Sequence, residues 1–186
     1  MRSLTIVLVV LGAVSLGCSN LSKLGIGGGG GAFSSEIDKF SVVFPSGGEE
    51  VKTESSKGGK YTGAGMTYSK SLENRSDNYR SYEVQAYKIA NPPSSPDDRR
   101  TTLLFGLNGW DDEPETVVKD ATINGQQAID SIRTVAIGPA KMSFREICLY
   151  NDALQKLYVL QIAAVNKELL TAKEAEEFVN SFKFKN

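Results

Sequence analysis

The chain has 186 residues, a formal net charge of −1, 40% hydrophobic residues and 23% charged residues. It contains no histidine and two cysteines, which excludes Ser-His-Asp and Cys-His catalytic arrangements and zinc sites of the Cys/His type. The near-neutral charge and the lack of RNP, zinc-finger and helix-turn-helix patterns give no indication of a nucleic-acid partner.

Residues 1–17 are predicted to be a signal peptide. Arg2 gives a positive start, an apolar run over residues 4–11 follows, and small residues precede Cys18. This is the order of features in a secretory signal. Even when it is extended to Leu16, the apolar run is shorter than the roughly 20 residues that cross a bilayer. We therefore expect an exported protein.

Cys18 stands where an exported chain is usually cut, and its surroundings resemble the bacterial lipobox. That pattern has a small residue before a cysteine that receives a diacylglyceryl group. Gly17 is such a residue, but Ser15 occupies the place of the usual Leu, Val or Ile, and the leucine comes one place later. Ser15 and Gly17 also fit ordinary signal cleavage. We predict lipidation of Cys18; the alternative is a soluble secreted or periplasmic protein.

Residues 18–33 are predicted to form the lipid-anchor segment and a flexible tether. Five consecutive glycines occupy residues 27–31, and glycine has the largest backbone freedom of any residue. An ordinary disordered terminus would have the same composition. The remaining residues, 34–186, are of a length that suits one domain with one core.

The first half of this domain is predicted to contain four strands and one helix. Alternating or β-branched runs bounded by turn residues indicate strands over residues 40–45, 49–55, 60–71 and 80–89. Ser95 can cap a helix that has proline at its first position and two aspartates in its first turn. Its apolar stripe is Leu103, Leu104, Leu107 and Trp110, and Asn108-Gly109 is a natural stop.

The second half is predicted to contain four further strands and a closing helix. The strands cover residues 115–122, 126–137, 142–150 and 154–165, and Asn124-Gly125 favours a type I′ hairpin turn. A capping box at residues 171–174 opens a helix that buries Ala175, Phe178, Val179 and Phe182. The predicted fold class is α+β, an antiparallel β-sheet with amphipathic helices packed on it.

Acidic clusters and the second cysteine are interpreted as structural. Asp97-Asp98, residues 111–113 and Glu176-Glu177 lie beside turn or helix signals, where charges are usually solvated, and none has EF-hand spacing. Cys148 lies in a predicted strand and is expected to pack in the core as a small hydrophobe. We therefore predict no metal site, no cofactor and no catalytic residue.

Several of these segments together resemble the PsbP-like superfamily, especially small bacterial envelope domains. The segments are residues 40–45, Tyr82 with Val84, residues 123–125, residues 156–160 and residues 175–184. The resemblance implies an α/β/α-type sandwich around an antiparallel sheet, and a binding or accessory protein without catalysis. It rests on core and turn positions, so it transfers no site residue.

Three functions remain open on the sequence. The first is a non-catalytic, lipid-anchored accessory or binding module of the bacterial cell envelope, attached to the membrane at Cys18 and with a possible envelope protein partner. The second is an exported small-molecule carrier whose pocket Trp110, Tyr82 and Tyr87 would line. The third is a histidine-independent envelope enzyme that would use carboxylates, serine or lysine.

Overall fold

The computed structural model describes residues 31–57, 62–73, 78–89, 91–107, 116–137 and 140–185. Ten strands lie in these ranges, and their bounds are β1 Ala32–Ser35, β2 Phe40–Val43, β3 Lys52–Ser56, β4 Thr62–Glu73, β5 Arg80–Ile89, β6 Val117–Ile123, β7 Gln126–Ile137, β8 Ala140–Asn151, β9 Lys156–Ala164 and β10 Lys183–Phe184. The helices are α1 Pro96–Gly106, a 3₁₀ helix Lys167–Thr171 and α2 Lys173–Ser181.

The described strands form two antiparallel sheets. Seven strands make the large sheet in the order β3-β4-β5-β9-β8-β7-β6, and β1-β2-β10 make a small one. Every strand pairing is antiparallel. The predicted α+β class with an antiparallel sheet is therefore confirmed.

The hairpin between β6 and β7 turns at the predicted residues. Asn124 and Gly125 have φ angles of +49° and +79°, and positive φ at both central positions is the signature of a type I′ turn. The turn is also held from outside, because the Asn124 side-chain amide donates to the backbone carbonyls of Asn180 and Phe182.

Helix α1 begins as predicted and ends earlier. The Ser95 hydroxyl accepts a hydrogen bond from the Asp98 backbone N–H, and Pro96 is the first helical residue. The helix ends at Gly106, and Leu103 and Leu107 are buried. Residues 108–110, the expected stop and the last member of the stripe, lie outside the described residues.

The capping box predicted for α2 is wrong. Thr171 is the last residue of the 3₁₀ helix, whose own start is capped by the Asn166 side chain. Helix α2 begins at Lys173, and its N-cap residue, Ala172, has no side-chain acceptor. The preceding helical turn takes up Thr171, so the threonine does not reach the free N–H groups of α2.

An aromatic core fills the space between the large sheet, the small sheet and α2. Its largest fully buried rings are Phe40, Phe44, Phe178, Phe182, Tyr82 and Tyr158. The Phe33 ring in β1 packs 5.2 Å from the Tyr68 ring, centroid to centroid. Because of this contact the first strand starts at Ala32, two residues before the predicted start of the domain.

Helix α1 covers part of the opposite face of the large sheet. Leu103 and Leu107 pack there with Ile129, Cys148 and Val159. Cys148 is a fully buried free thiol, as predicted, and burial raises its pKa well above the usual value of 9.0. The thiol is therefore a core group and not a reactive one.

Candidate functional site

A line of polar side chains crosses the face of the large sheet that α1 occupies, next to the apolar part that the helix covers. Strand register aligns one residue from each of five neighbouring strands, and we call this set the polar row: Ser69 (β4), Glu83 (β5), Gln161 (β9), Glu146 (β8) and Ser131 (β7). Their side is fixed by alternation, since Cys148 and Val159, two residues along β8 and β9, pack against α1.

The polar row combines sequence-distant residues at strand spacing. With strands about 4.8 Å apart, the row is about 19 Å long from Ser69 to Ser131, and the Cα atoms of Glu83 and Glu146 are about 10 Å apart with Gln161 between them. Glu146 and Ser131 each expose only 1% of their surface. Such polar groups are costly in this position unless each one has a partner.

A chain of three hydrogen bonds ends at Glu83, on the face of the sheet that α1 occupies. The Ser56 hydroxyl donates to the Tyr87 hydroxyl at 3.3 Å, Tyr87 donates to the Gln85 carbonyl oxygen at 2.7 Å, and the Gln85 amide donates to Glu83 Oε1 at 2.5 Å. No described residue donates to the second carboxylate oxygen of Glu83. The chain orients this carboxylate through Oε1, and its other oxygen receives no hydrogen bond from the described residues.

The pKa of Glu83 is raised above its usual value of 4.5. Burial is the largest cause, and the negative charges of Glu54 and Glu146 add to it, while the hydrogen bond from Gln85 acts in the opposite direction. No described cation forms an ion pair with Glu83. Within the described ranges, this half-buried carboxylate therefore has no opposite charge to offset its burial.

Glu146 is in a different environment because a cation lies next to it. Arg133 Nε donates to Glu146 Oε2 at 3.3 Å, and the Arg133 guanidinium lies 4.7 Å from the centre of the Phe144 ring. At this distance the ring face attracts the guanidinium and helps to keep it beside the row. The two carboxylates of the row thus differ, since Glu146 is paired with arginine and Glu83 has no cation as a partner in the part of the chain that the structure describes.

Hydroxyl groups near Glu146 are buried without partners. Ser131 Oγ and Thr116 Oγ1 are both inaccessible to solvent and make no hydrogen bond. Thr116 lies two residues before Val118, which packs with the α1 cluster, so strand alternation directs it to the same face. The Gln161 side-chain amide likewise has no hydrogen-bond partner in the described part of the chain. A buried hydroxyl without a partner calls for an explanation, such as an ordered water or a bound ion.

The structure does not bring the predicted pocket residues together. Tyr82 is fully buried in the aromatic core, with its ring 5.2 Å from the Phe178 ring. Tyr87 lies on the opposite face of the sheet, where it joins the hydrogen-bond chain. The two are five positions apart in one strand, an odd number, so they must face opposite ways. Trp110 and Cys18 lie outside the described residues.

Sequence reasoning missed the polar row, although two signals for it were present. Glu146 directly precedes the apolar run Ile147-Cys148-Leu149 of β8, and Gln161 stands between Leu160 and Ile162 in β9. A polar residue inside a strand that is apolar on both faces indicates a buried polar site. The alignment of these residues with Glu83 depends on strand order, which the sequence does not state.

The predicted acidic clusters divide between surface and structure. Asp97, Asp98 and Glu177 are exposed, whereas Glu176 accepts a hydrogen bond from the buried Arg145 at 2.5 Å. Residues 111–113 lie outside the described ranges. Within those ranges, no group of three or more acidic or cysteine residues is arranged to hold a metal ion.

None of the helices that the structure describes is long and apolar enough to cross a membrane.

Comparison with solved structures finds similar chains at low sequence identity. A protein of Bacteroides thetaiotaomicron VPI-5482 is similar with a TM-score of 0.52 and 14% identity, over 84% of this chain and 49% of that one. The chain thus spans about half the length of that protein, and the likeness concerns the fold alone. LpqN of Mycobacterium tuberculosis, which is involved in cell envelope biogenesis, is similar with a TM-score of 0.47 and 11% identity, over 79% of this chain and 83% of LpqN. This likeness is too low to indicate a shared function.

No protein-family model matches the chain, and no curated protein matches it. The PsbP-like resemblance therefore stays a prediction.

Proposed function

We propose that the protein is a non-catalytic, lipid-anchored binding module of the bacterial cell envelope that holds a small polar molecule on the polar row. One observation carries the binding role: Glu83, a carboxylate with no cation beside it among the described residues, and Ser131, a buried hydroxyl without a partner, share one sheet face. Groups of this kind weaken the fold, so their presence is better explained by a ligand than by packing.

The site differs from the aromatic-lined pocket that the sequence predicts for a small-molecule carrier. Tyr82 is part of a filled aromatic core, and the space beside α2 is occupied by rings. Tyr87 contributes through its hydroxyl group, as the second donor in the chain that ends at Glu83. The proposed ligand is therefore polar and hydrogen-bonded rather than apolar.

The proposed anchor would lie on the side of the fold away from the polar row. The described chain enters the fold at β1, in the small sheet, which packs on the face of the large sheet opposite to the polar row. A tether that joins Cys18 to β1 would then attach on the side away from the site. Supporting the anchor itself are the signal pattern, Cys18 and the glycine run. Membership of the PsbP-like superfamily and an envelope protein partner are parts of the same proposal.

A histidine-independent enzyme is the second candidate, and one observation favours it. Glu83 and Glu146 are carboxylates in unlike environments on one row, and general acid–base chemistry uses pairs of this kind. The enzyme hypothesis would replace the binding function if the wild type turned over a polar envelope compound and both Glu83→Gln and Glu146→Gln lost this activity.

The anchor is tested by substituting its acceptor. We expect Cys18→Ser to move the protein from the membrane fraction to the soluble fraction, because a chain without acyl groups has no attachment left, and stable anchoring takes two chains. Cell fractionation followed by immunoblotting measures this. Ser19→Ala, a change at the next residue that leaves the acceptor intact, is the control and should stay in the membrane fraction.

Mass spectrometry of the N-terminal peptide makes the anchor test decisive. The account predicts a native chain that begins at Cys18 and carries acyl chains. An unmodified Cys18, or membrane retention of the Cys18→Ser protein, would contradict it and favour the soluble secreted alternative.

A further inference from the structure

We infer that the polar row binds an organic cation, a small molecule that carries a primary amine. This inference rests on the proposed binding function and names the chemical class of its ligand. Three independent features lead to it: the charge of the row, the direction of its hydrogen bonds and the unpartnered hydroxyl group at its end.

The charges of the row call for a cation. Of its two carboxylates, Glu146 has Arg133 beside it, whereas Glu83 has no described cation as a partner. Lys52, which aligns with Ser69 at the edge of the sheet, instead pairs with Glu49 at 2.5 Å. A ligand ammonium would supply the missing charge, and an anionic ligand would add to the repulsion that Glu83 already experiences from Glu54 and Glu146.

The hydrogen bonds of the row point in the same direction. The donors of Ser56, Tyr87 and Gln85 are directed along one chain toward Glu83, so the end of that chain offers an acceptor to a ligand. An ammonium group has three donors and no acceptor. It could donate to the second carboxylate oxygen of Glu83 and to a neighbouring acceptor, and it has no lone pair that would need a donor.

The unpartnered serine hydroxyl indicates that the site extends along the sheet. Ser131 is 1% exposed, its Oγ has no hydrogen bond, and register places it beside Glu146. Gln161, between the two carboxylates, has a side-chain amide that is also without a described partner. A ligand whose amine lies at Glu83 would reach Gln161 on the next strand first, and would have to extend about 14 Å to reach Ser131, three strands away. Neutral polyols could also place polar groups along the row, but they carry no positive charge for Glu83.

Paired probes separate a cation from a neutral polyol. We would titrate the full mature chain with 1,4-diaminobutane and with 1,4-butanediol, a neutral molecule of the same shape, using calorimetry and thermal melts. The inference expects measurable binding of the diamine and at least tenfold weaker binding of the diol, a difference of about 1.4 kcal/mol. Glu83→Gln should weaken diamine binding at least tenfold. Glu168→Gln removes an exposed carboxylate from the 3₁₀ helix, on the opposite face of the sheet, and should change binding less than twofold.

The outcomes distinguish the ligand class from the function. Equal binding of diamine and diol, or full diamine binding by Glu83→Gln, would overturn the cation and leave a binding site for neutral molecules. If neither probe binds, the cation class fails, and native mass spectrometry of the chain from its own envelope decides the rest. A mass above that of the protein would show a non-covalently bound molecule of another class, and the proposed binding function would stand. If no added mass is found, the proposed function is overturned as well. Circular dichroism of each variant confirms that it is folded.

Discussion

Replacing Phe178 with alanine is expected to cost about 3–5 kcal/mol of unfolding free energy, the range for a large ring removed from a packed core. The Phe178 side chain is 0% exposed, and its ring lies 5.3 Å from the Phe44 ring and 5.2 Å from the Tyr82 ring. It therefore joins α2 to the large sheet and to the segment that directly follows β2. A domain of this size holds about 5–15 kcal/mol in total, so the variant should be close to unfolding at 37 °C.

Denaturant melts with a matched substitution test this role. Phe105 in α1 is 38% exposed, so Phe105→Ala should cost clearly less than Phe178→Ala. Equal midpoints for wild type and Phe178→Ala would show that the ring is not buried in solution. The helix would then present an exposed aromatic stripe, and α2 would become the candidate for a partner surface.

Replacing Arg145 with leucine is the second change with a large expected effect, about 3–5 kcal/mol. Arg145 and Asp130 are both buried and form two hydrogen bonds, at 3.1 and 3.0 Å. Arg145 also donates to the Leu170 carbonyl and to Glu176, and so links the sheet to the 3₁₀ helix and α2. Its removal leaves the buried carboxylate of Asp130 with the exposed Lys119 as its remaining cation, at 3.4 Å.

Two comparisons in denaturant melts identify the cause. The double variant Arg145→Leu with Asp130→Leu should recover most of the loss, because replacing both members of a buried pair is far cheaper than orphaning one. Arg99→Leu breaks a two-hydrogen-bond pair with Asp152 at the surface, where such pairs contribute about 0–1 kcal/mol. A loss at Arg145 no larger than that at Arg99 would contradict a buried network.

The sequence predicted local structure well where one residue type determines the conformation. Asn124-Gly125 requires a turn with two positive φ angles, and Ser95 followed by proline requires a helix start, and both are present. Strand β5 was predicted with its observed bounds, because its alternation is regular. The capping box at Thr171 failed, since a neighbouring 3₁₀ turn competed for the same residue.

The candidate site was beyond prediction for a topological reason. Its residues come from five strands, and the order β5-β9-β8-β7 places residues 83 and 161 side by side although they are distant in sequence. Tyr82 and Tyr87 were grouped because both are aromatic and lie in one strand, yet alternation sends them to opposite faces. Residue type and spacing thus located the core, but only strand order located the polar row.

The central claim is that the polar row is kept for binding at a cost to the fold, and the pH dependence of stability tests it most directly. Glu83 faces Glu54 from β3, Glu146 from β8 and the hydroxyl of Tyr87 on its own strand, and no described cation pairs with it. The folded-state pKa of Glu83 lies above 4.5. The folded protein therefore binds this proton more tightly than the unfolded chain does. Wild-type stability from this group is therefore fully present below pH 4.5 and is lost as the pH rises through the folded-state pKa.

The measurement is the unfolding free energy of wild type and Glu83→Gln, without ligand, at pH 4 and pH 7. Glutamine keeps the acceptor for the Gln85 amide and does not titrate. We expect the variant to be more stable than wild type at pH 7 and the two proteins to be nearly equal at pH 4, because only the wild type can ionise at this position. A Glu83→Gln protein that is less stable than wild type at pH 7 would show that the carboxylate stabilises the fold, and would contradict a site maintained for a ligand.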